Sequence, residues 1–519
     1  MVNLRKKINH LFRENQDIIL QELRQPLDRV AITLILGLTV LICLLFVGGG
    51  STAPKVKDFS WQDKKIGAED TAFILNFNRP MNHASVEKNL TIEPPLPGKV
   101  SWAGRRMAYT ILEPAPYGNQ YTVKLSGAKE KFYGLDQGEV MQPFQGLFSS
   151  RDRAFAYIGF QGEKKGRLIL INLTKKQQPI ILSPKNLEVM DFKFFPKGEK
   201  ILFSAVEKQN EVPTLIEQQI YTVTTGINFT PGDAKLKSSE AVGKIEKVLD
   251  NSEYQNLKFD LSLDGKKIVI QRVNRKDIFD SGPWVLELGK EVQPLTNKDG
   301  IIQKGGDFLI TPDSKSLVIL QGEGTSILPI NPETDSEDLI FLPKFGTVLN
   351  FAPDGSMATM VKYNQDGTRS LYIVTNQGEE REILRTRPYG NILSAEFDPN
   401  KRILYCLLTQ VVENGEEYQE QPYIAAFDIK RNLLKPLVIL PNQQEVNIDL
   451  SPDGLALLFD QMVTISNQEE QEQENTNNTR KISRLWMLPL DSKMPEDDSQ
   501  WQLQPEELPL TGFNPKWLP

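Results

Sequence analysis

Cysteine and histidine are scarce in this chain of 519 residues, which has two of each. Cys43 falls in an apolar run and Cys406 in a predicted strand, so we expect no disulfide. Both histidines, His10 and His83, lie near the amino terminus. The rest of the chain therefore has no imidazole for a Ser-His-Asp triad or for a histidine-rich metal site.

Motifs of nucleotide, redox and hydrolase chemistry are also missing. There is no Cys-x-x-Cys, no Gly-x-Ser-x-Gly and no phosphate-binding Gly-x-x-x-x-Gly-Lys-Ser/Thr. The formal net charge of −7, without a basic stripe interleaved with aromatics, argues against nucleic-acid binding. We therefore predict no catalytic residue, no cofactor, no metal site and no nucleic-acid partner. A small-molecule or glycan ligand stays an open question.

One long hydrophobic run is present near the start. Residues 30–47 are uncharged and almost wholly apolar, and with the uncharged residues that follow they are just long enough for a bilayer core. The long, mixed-charge segment before the run disfavours a cleaved signal peptide. We predict a cytoplasmic tail at 1–29 and a transmembrane signal anchor at 30–50. The protein would then be a single-pass inner-membrane protein with its bulk outside the cytoplasm.

The predicted tail has apolar residues at near-helical spacing. They are Ile8, Leu11, Phe12, Ile18, Ile19, Leu20 and Leu23. This pattern is typical of an amphipathic helix that lies on a membrane leaflet or docks a partner. A tail that is ordered only close to the membrane fits equally well, so both interpretations stay open.

Residues 53–150 have short alternating runs with turn signals between them, which predicts an all-β sandwich. The landmarks are Phe77-x-Arg-Pro-Met, then Ser85-Val, Gly98-x-x-x-Trp and Gly118-x-x-Tyr-Thr-Val. In this order they resemble bacterial Ig-like domains of the S-layer SbsA type. The resemblance implies a spacer or an adhesive support.

A short phrase recurs through the second half of the chain, and it predicts the fold of that half. Its clearest copies centre on Asp264-Gly265, Pro312-Asp313, Pro353-Asp354-Gly355 and Pro452-Asp453-Gly454. Proline presets φ for a tight turn, aspartate caps it, and glycine supplies a positive φ. Apolar runs flank each turn and further runs follow. Four short strands per period of about 40 to 65 residues are typical of a propeller blade.

The end of the chain carries half of one more copy. Phe513, Pro515 and Trp517 match the front of the phrase, whereas residues 154–182 supply three strands without a first strand. Together they make one blade, which predicts C-terminal strand closure of the propeller. We count about seven blades, and the degenerate copies near Pro196 and Pro399 leave six as the alternative.

The Pro-Asp-Gly phrase resembles the repeats of TolB-like β-propellers, which also occur in the propeller half of prolyl-oligopeptidase-type enzymes. The resemblance covers residues 151–519, implies the fold and says little about function. The predicted fold class is thus all-β. It comprises an N-terminal transmembrane helix, an Ig-like sandwich at 53–150 and a closed propeller at 151–519.

Three acidic residues lie in predicted first strands, where side chains can face the channel: Asp260, Glu396 and Asp449. We expect them to be polar channel liners. The alternative is a carboxylate-based enzyme, which needs these groups to converge with raised pKa values.

The sequence favours a membrane-anchored, non-enzymatic binding or scaffold protein of the bacterial envelope, with a propeller surface that contacts protein partners. One alternative is a propeller-channel enzyme or binder acting on glycan or peptide. A second alternative is a transmembrane sensor that signals through the tail.

Overall fold

The structure is a computed structural model. It describes residues 26–48, 53–131, 138–208, 217–227, 241–322, 324–331, 340–342, 344–414, 417–441, 443, 445–466, 479–491 and 503–519. The chain divides into two compact units. The first comprises Met1–Lys57, Asn76–Leu90 and Leu125–Phe144, and the second comprises Asp58–Leu75, Thr91–Lys124 and Gln145–Pro519. The predicted boundary at residues 150 and 151 stays a prediction.

The first described element, α1, is the helix Pro26–Gly48. A bilayer core requires about 20 consecutive apolar residues in a helix. Within the described ranges, no helix combines the length and the apolar character that a membrane crossing needs. The predicted transmembrane anchor at 30–50 is therefore wrong, and so is the inner-membrane location built on it. Residues 1–25 of the predicted cytoplasmic tail lie outside the described residues.

Eight short strands and one short helix follow α1. In chain order they are β1 (Val56–Phe59), β2 (Lys65–Ile66), β3 (Ala72–Phe77), α2 (His83–Asn89), β4 (Leu90–Glu93), β5 (Gly98–Ala103), β6 (Arg106–Ile111), β7 (Gln120–Leu125) and β8 (Phe144–Ser150). The strands form two four-stranded sheets in the orders β1-β3-β6-β5 and β2-β8-β7-β4. The strand β2 pairs with β8 in parallel, Lys65 opposite Ser149.

An aromatic cluster in the second unit packs between these two sheets. The Phe59 and Phe73 rings of the first sheet meet edge to face at 5.3 Å, and the ring of Trp61, in the turn after β1, lies 5.1 Å from that of Phe148 in the second sheet. Tyr121 stacks on Phe148 at 5.0 Å. The alternation that predicted half-buried strands thus places one apolar face of each sheet in a shared core.

The first unit has its own local contacts. Asn82 caps α2 because its side-chain oxygen accepts the Ser85 N–H at 3.0 Å. In the same unit, Arg79 pairs with Glu130 at 3.1 Å.

The remaining strands belong to the propeller. They are β9 (Ala154–Gly159), β10 (Leu168–Asn172), β11 (Ile180–Ile181), β12 (Leu187–Phe194), β13 (Lys200–Glu207), β14 (Gln219–Thr224), β15 (Ile245–Leu249), β16 (Tyr254–Leu261), β17 (Lys267–Asn274), β18 (Ser281–Glu287), β19 (Gln293–Pro294), β20 (Phe308–Ile310), β21 (Ser316–Gln321), β22 (Gly324–Pro329), β23 (Ile340–Leu342), β24 (Thr347–Phe351), β25 (Met357–Tyr363), β26 (Arg369–Thr375), β27 (Glu380–Arg385), β28 (Ile392–Phe397), β29 (Ile403–Asn414), β30 (Glu417–Asp428), β31 (Leu433–Ile439), β32 (Ile448–Leu450), β33 (Ala456–Ser466), β34 (Thr479–Pro489) and β35 (Glu506–Trp517).

Five consecutive antiparallel sheets of four strands form blades 2 to 6. They are β12–β15, β16–β19, β20–β23, β24–β27 and β28–β31, each in simple sequence order. The other propeller strands make one sheet in the order β11-β10-β9-β35-β34-β33-β32. This sheet contains two blades that share β35.

The strand β35 belongs half to the last blade and half to the first. Its first half pairs with β34, Glu507 opposite Trp486, which completes blade 7. Its second half pairs with β9, Trp517 opposite Phe155, which supplies the first strand of blade 1. Among the described residues the sheets therefore make seven blades, and the C-terminal strand joins blade 7 to blade 1.

Trp517 is the main apolar contact of this junction. Its side chain is buried, and its ring lies 5.6 Å from that of Phe155. We expect W517A to lower the free energy of unfolding by about 3–5 kcal/mol, because it leaves a cavity where β35 meets β9. Urea denaturation followed by far-UV circular dichroism measures this loss.

The matched control is I439A, which shortens an isoleucine that is 64% exposed. We expect it to cost less than about 0.5 kcal/mol. A loss for W517A as small as that of the control would contradict the assigned role of the junction.

Candidate functional site: the channel ring

The first strands of successive blades contact one another around a common centre. Contacts join β16 to β20, β20 to β24, β24 to β28, β28 to β32 and β32 to β35. Six of the seven first strands lie at the edges of their sheets, and the second half of β35 pairs with β9 on one side, so each has a backbone edge without a strand partner among the described strands. We expect these edges to line the centre of the propeller, as in propellers generally.

One register position repeats in all seven first strands, three residues before the turn proline or its equivalent. We call the seven residues at this position the channel ring. They are Lys193, Asp260, Leu309, Asn350, Glu396, Asp449 and Lys516. Five of them carry a charge in their usual ionised form, and charged side chains are rarely buried unless they are paired.

Each of the three ring carboxylates links its own blade to the next one. Asp260 accepts the N–H of Ile310 at 2.8 Å, and Glu396 accepts the N–H of Leu450 at 2.8 Å. Asp449 accepts the N–H of Trp517 at 2.5 Å. The three amides occupy the same position in their strands, one residue after the ring residue. Each carboxylate therefore gives a partner to a backbone group that the sheet leaves unpaired.

The two lysines of the ring also link their own blades to the next, and they do so through positively charged groups that pair with aspartates. Lys193 of blade 2 pairs with Asp260 of blade 3. Lys516 of blade 1 donates to the Phe192 carbonyl at 2.6 Å and pairs with Asp191 at 2.8 Å. These contacts join the C-terminal strand to blade 2.

Ion pairing decides the protonation of these groups. Burial alone would lower the pKa of Lys193, but Asp260 outweighs it and the pKa is raised. Burial would raise the pKa of Asp191, whereas Lys516 holds it below its ordinary value. Both groups therefore stay charged at neutral pH.

Glu396 and Asp449 behave differently because burial, the largest cause, raises the pKa of both carboxyl groups. Burial raises the pKa of Glu396 to about 8, and the nearby Asp449 carboxylate adds to the shift. Burial also raises the pKa of Asp449 to about 7, against the effects of the Trp517 N–H and of Lys516. We conclude that this pair holds a proton at neutral pH.

The ring does not bring the three sequence-predicted carboxylates together. Glu396 and Asp449 belong to adjacent blades, 6 and 7, whereas Asp260 belongs to blade 3 and pairs with Lys193. Sequence reasoning overlooked Lys193 and Lys516. Aligning the seven first strands on the turn proline would have found both, because they share the register of Asp260.

Each aspartate of the repeat turns accepts hydrogen bonds within its own turn, and Asp354 in addition pairs with Lys401. Asp264 accepts from the Ser262 hydroxyl at 2.6 Å and from the Lys266 N–H at 3.0 Å. Asp313 accepts from Thr311 and from Lys315 in the same way. The turn glycines take positive φ, as the turns require: Gly265, Gly355 and Gly454.

Asp453 makes longer-range contacts in addition to its turn contacts. Its fully buried carboxylate accepts the Tyr117 N–H at 2.9 Å and pairs with Arg153 at 2.9 Å. Nearby, Arg402 lies 3.5 Å from Glu113. Within the second unit, the segment Thr91–Lys124 is thereby held against the turns of the propeller. The repeat pattern alone did not distinguish Asp453 from the other turn aspartates.

Metal binding has no visible basis in the described part of the chain. There, histidine, cysteine, aspartate and glutamate do not gather in groups of three or more that could hold an ion. Cys406 is buried, and burial raises the pKa of its thiol to about 12.

Comparisons with known proteins were made by family, by sequence and by structure. No family model and no curated protein matches the chain. Solved structures that are similar include an oligogalacturonate lyase in complex with manganese, at 10% identity and a TM-score of 0.42, over 79% of this chain and 94% of that one. They also include a putative 6-phosphogluconolactonase from Bacteroides fragilis, at 13% identity and a TM-score of 0.40, over 71% of this chain and 98% of that one.

A putative TolB from Agrobacterium tumefaciens is also similar, at 12% identity and a TM-score of 0.34, over 56% of this chain and 91% of that one. The neighbours thus include a TolB-like propeller and related propeller proteins, all at low identity. At these scores they carry no argument about function. Nothing in the comparisons supports the SbsA-type Ig-like assignment of residues 53–150.

The pair in blades 6 and 7 makes stability depend on pH. The unfolded chain loses its glutamate protons near pH 4, whereas folded Glu396 keeps its proton up to about pH 8. The contribution of Glu396 to the free energy of unfolding is therefore full below about pH 4 and is lost as the pH rises toward 8. We expect E396Q, which cannot ionise, to gain on the order of 1 kcal/mol over the wild type between about pH 5 and pH 8.

The same series of urea denaturations contains a control, Asp354, whose contribution to the free energy of unfolding changes with pH in the opposite direction. Lys401 and Ser356 lower the pKa of Asp354 to about 2, so its contribution is lost as the pH falls from about 4 toward 2. D354N should therefore differ from the wild type above pH 4 and converge with it in acid. If the wild-type and E396Q curves run parallel from pH 5 to pH 8, the assigned protonation of the pair is wrong.

Proposed function

We propose that this chain is a non-enzymatic binding protein that uses a surface of its propeller to hold a protein partner. One observation carries the proposal: the channel carboxylates Asp260, Glu396 and Asp449 each accept a backbone N–H from the next blade. A carboxylate that accepts a hydrogen bond from the next blade is held in place by the fold, so it cannot move with a reacting substrate. This arrangement favours a stable frame over a reaction centre.

The frame suits protein binding because loops gather on two faces of a propeller while the strands stay fixed. The segment Thr91–Lys124 is held against the turns through Asp453 and Arg402. We propose that residues 53–150 act as a support for the propeller, in the manner of an Ig-like spacer. The TolB-like character of the propeller belongs to the same proposal.

A second candidate is an enzyme or binder that acts on a glycan or a peptide in the channel. The pair Glu396 and Asp449 favours it, because a carboxyl group that stays protonated near neutral pH can act as a general acid. Against it, both groups already accept backbone hydrogen bonds.

The test starts from the tagged full chain in the cells that produce it. Mild crosslinking, affinity purification and mass spectrometry identify what is captured, and the best candidate is then purified and titrated against the purified chain. The double variant E396Q/D449N runs beside the wild type at each step.

The two candidates predict different results. Binding through a propeller surface predicts a stoichiometric partner that both forms hold with affinities within about threefold. The channel enzyme predicts turnover of labelled oligosaccharides or peptides by the wild type, and its loss in E396Q/D449N. Turnover without a stoichiometric partner would overturn the proposed function.

A further inference from the structure

A buried arginine lies between blades 2 and 3, at the end of β17 that is remote from the repeat turn at Asp264-Gly265. Arg272 is 5% exposed. It extends from the face of β17 that also carries Ile268 and Ile270, which pack in the core shared with blade 2. A buried charge is normally paired with a group of opposite charge. The partners of Arg272 therefore decide what this side chain does.

The guanidinium is held at its Nε atom. This Nε donates to the side-chain oxygen of Asn256 at 3.2 Å. The Asn256 amide is held in turn, because its Nδ2 donates to the carbonyls of Gln218 and Asp250 at 3.0 Å each. Both contacts reach residues of blade 2 and the loop that follows it. The Nε of Arg272 is thus used, and its two terminal nitrogens are left for other partners.

Two aromatic rings contact the guanidinium. The Cζ of Arg272 lies 4.7 Å from the centre of the Tyr254 ring and 5.0 Å from that of Trp284. The Tyr254 hydroxyl donates to Asp280 at 2.7 Å, which holds this ring in place. Cation–π contacts stabilise the charge, but they supply no lone pair to an N–H group. The rings therefore position the guanidinium without using its terminal donors.

No carboxylate compensates this charge at close range. Within the part of the chain that the structure describes, the terminal nitrogens of Arg272 have neither a hydrogen-bond acceptor nor an ion-pair partner. Asp250 and Glu253 attract the guanidinium from farther away, yet burial outweighs them and lowers its pKa. Arg151, the other buried arginine among the described residues, differs because it pairs with Glu69.

The unused donors of Arg272 are reached by solvent. In the described ranges, the polar atoms that are both enclosed and unpaired include Nε1 of Trp284 but no nitrogen of Arg272, so its terminal nitrogens keep some exposed surface. The Trp284 indole, which contacts the guanidinium, adds a second unpaired donor next to it. Unused donors beside a positive charge are the chemistry of an anion site.

We propose that Arg272 anchors a binding site for a carboxylate group, which its two terminal nitrogens hold as a bidentate pair. The planar guanidinium fork matches the two oxygens of a carboxylate. A single negative charge fits better than the higher charge of phosphate, because Asp250 and Glu253 already place negative charge nearby. The carboxylate can belong to a free organic acid or to an acidic side chain of a protein partner. The inference goes beyond the proposed function and does not depend on it.

The test uses the purified full chain labelled with 5-fluorotryptophan. The chain has six tryptophans, and W284F identifies the fluorine NMR signal of Trp284. Acetate is titrated at constant ionic strength, with acetamide as the neutral probe of the same shape and inorganic phosphate as the probe of higher charge. R272M removes the charge at similar length, and R272K keeps the charge but loses the fork. R385Q is the matched control, since it removes the charge of an exposed arginine that pairs with Asp366 in blade 5.

We expect acetate to shift the Trp284 signal saturably in the wild type and in R385Q, with a dissociation constant in the millimolar range. Acetamide should leave the signal in place. R272M should abolish the shift, and R272K should weaken binding at least about fivefold, because lysine cannot form the bidentate pair. R272K keeps the test decisive if R272M does not fold.

Three results would each overturn the proposal: no saturable shift with acetate, an equal shift with acetamide, or unchanged acetate affinity in R272K. Tighter binding of phosphate than of acetate would overturn the carboxylate assignment in favour of a general anion site.

Partner capture then identifies the source of the carboxylate. If R272M and R272K lose a stoichiometric partner that the wild type and R385Q hold, the carboxylate belongs to that partner. If all forms hold the partner and acetate binds, the site takes a free acid. Acetate binding without any captured partner supports the site and contradicts the proposed function, whereas a captured partner without acetate binding overturns the site and supports the proposed function.

Discussion

The inner edges of the first strands impose the constraint on which the rest of the propeller depends. Six first strands lie at a sheet edge and the second half of β35 pairs with β9 on one side, so the inward amides of these strands lack strand partners. The three carboxylates of the ring and Asn350 meet this need at their register position, whereas the two lysines and Leu309 offer no acceptor. Asp260 accepts both the N–H of Leu261 and that of Ile310, and Asn350 accepts the N–H of Phe351. The same amide position is thus satisfied from within a blade or from its neighbour.

This solution has a chemical consequence at blades 6 and 7. Burial, with the Asp449 charge adding to it at Glu396, raises the pKa of the two adjacent acids so that they hold a proton, whereas the acid at blade 3 is matched by Lys193. Leu309 at blade 4 makes neither kind of link. The ring is therefore uneven, with ion pairs on one side, a protonated pair on another and an apolar position between them. The protonated pair of Glu396 and Asp449, which suggests acid chemistry, is thus explained by the side chains that link the blades.

Much of the fold could be predicted from the sequence because its signals are local. The turn chemistry of Pro353-Asp354-Gly355 and its copies marks strand pairs, and the half-copy at Trp517 predicts the pairing with β9 that the structure has.

The membrane prediction failed because apolar composition at 30–47 was taken as sufficient for a spanning helix. The partners of Asp260 and Asp453 lie 50 or more residues away, at Ile310 and at Tyr117, and no local pattern encodes such distances.

The central claim is that the ring carboxylates accept inward amides of the next blade. Hydrogen exchange resolved at the Leu450 amide tests it most directly, in the wild type, E396A and E396Q. We expect slow exchange in the wild type and in E396Q, whose amide oxygen can still accept the bond. E396A should speed exchange at Leu450 and leave Trp517 protected, because Asp449 is unchanged. Equal exchange of Leu450 in all three proteins would contradict the claim.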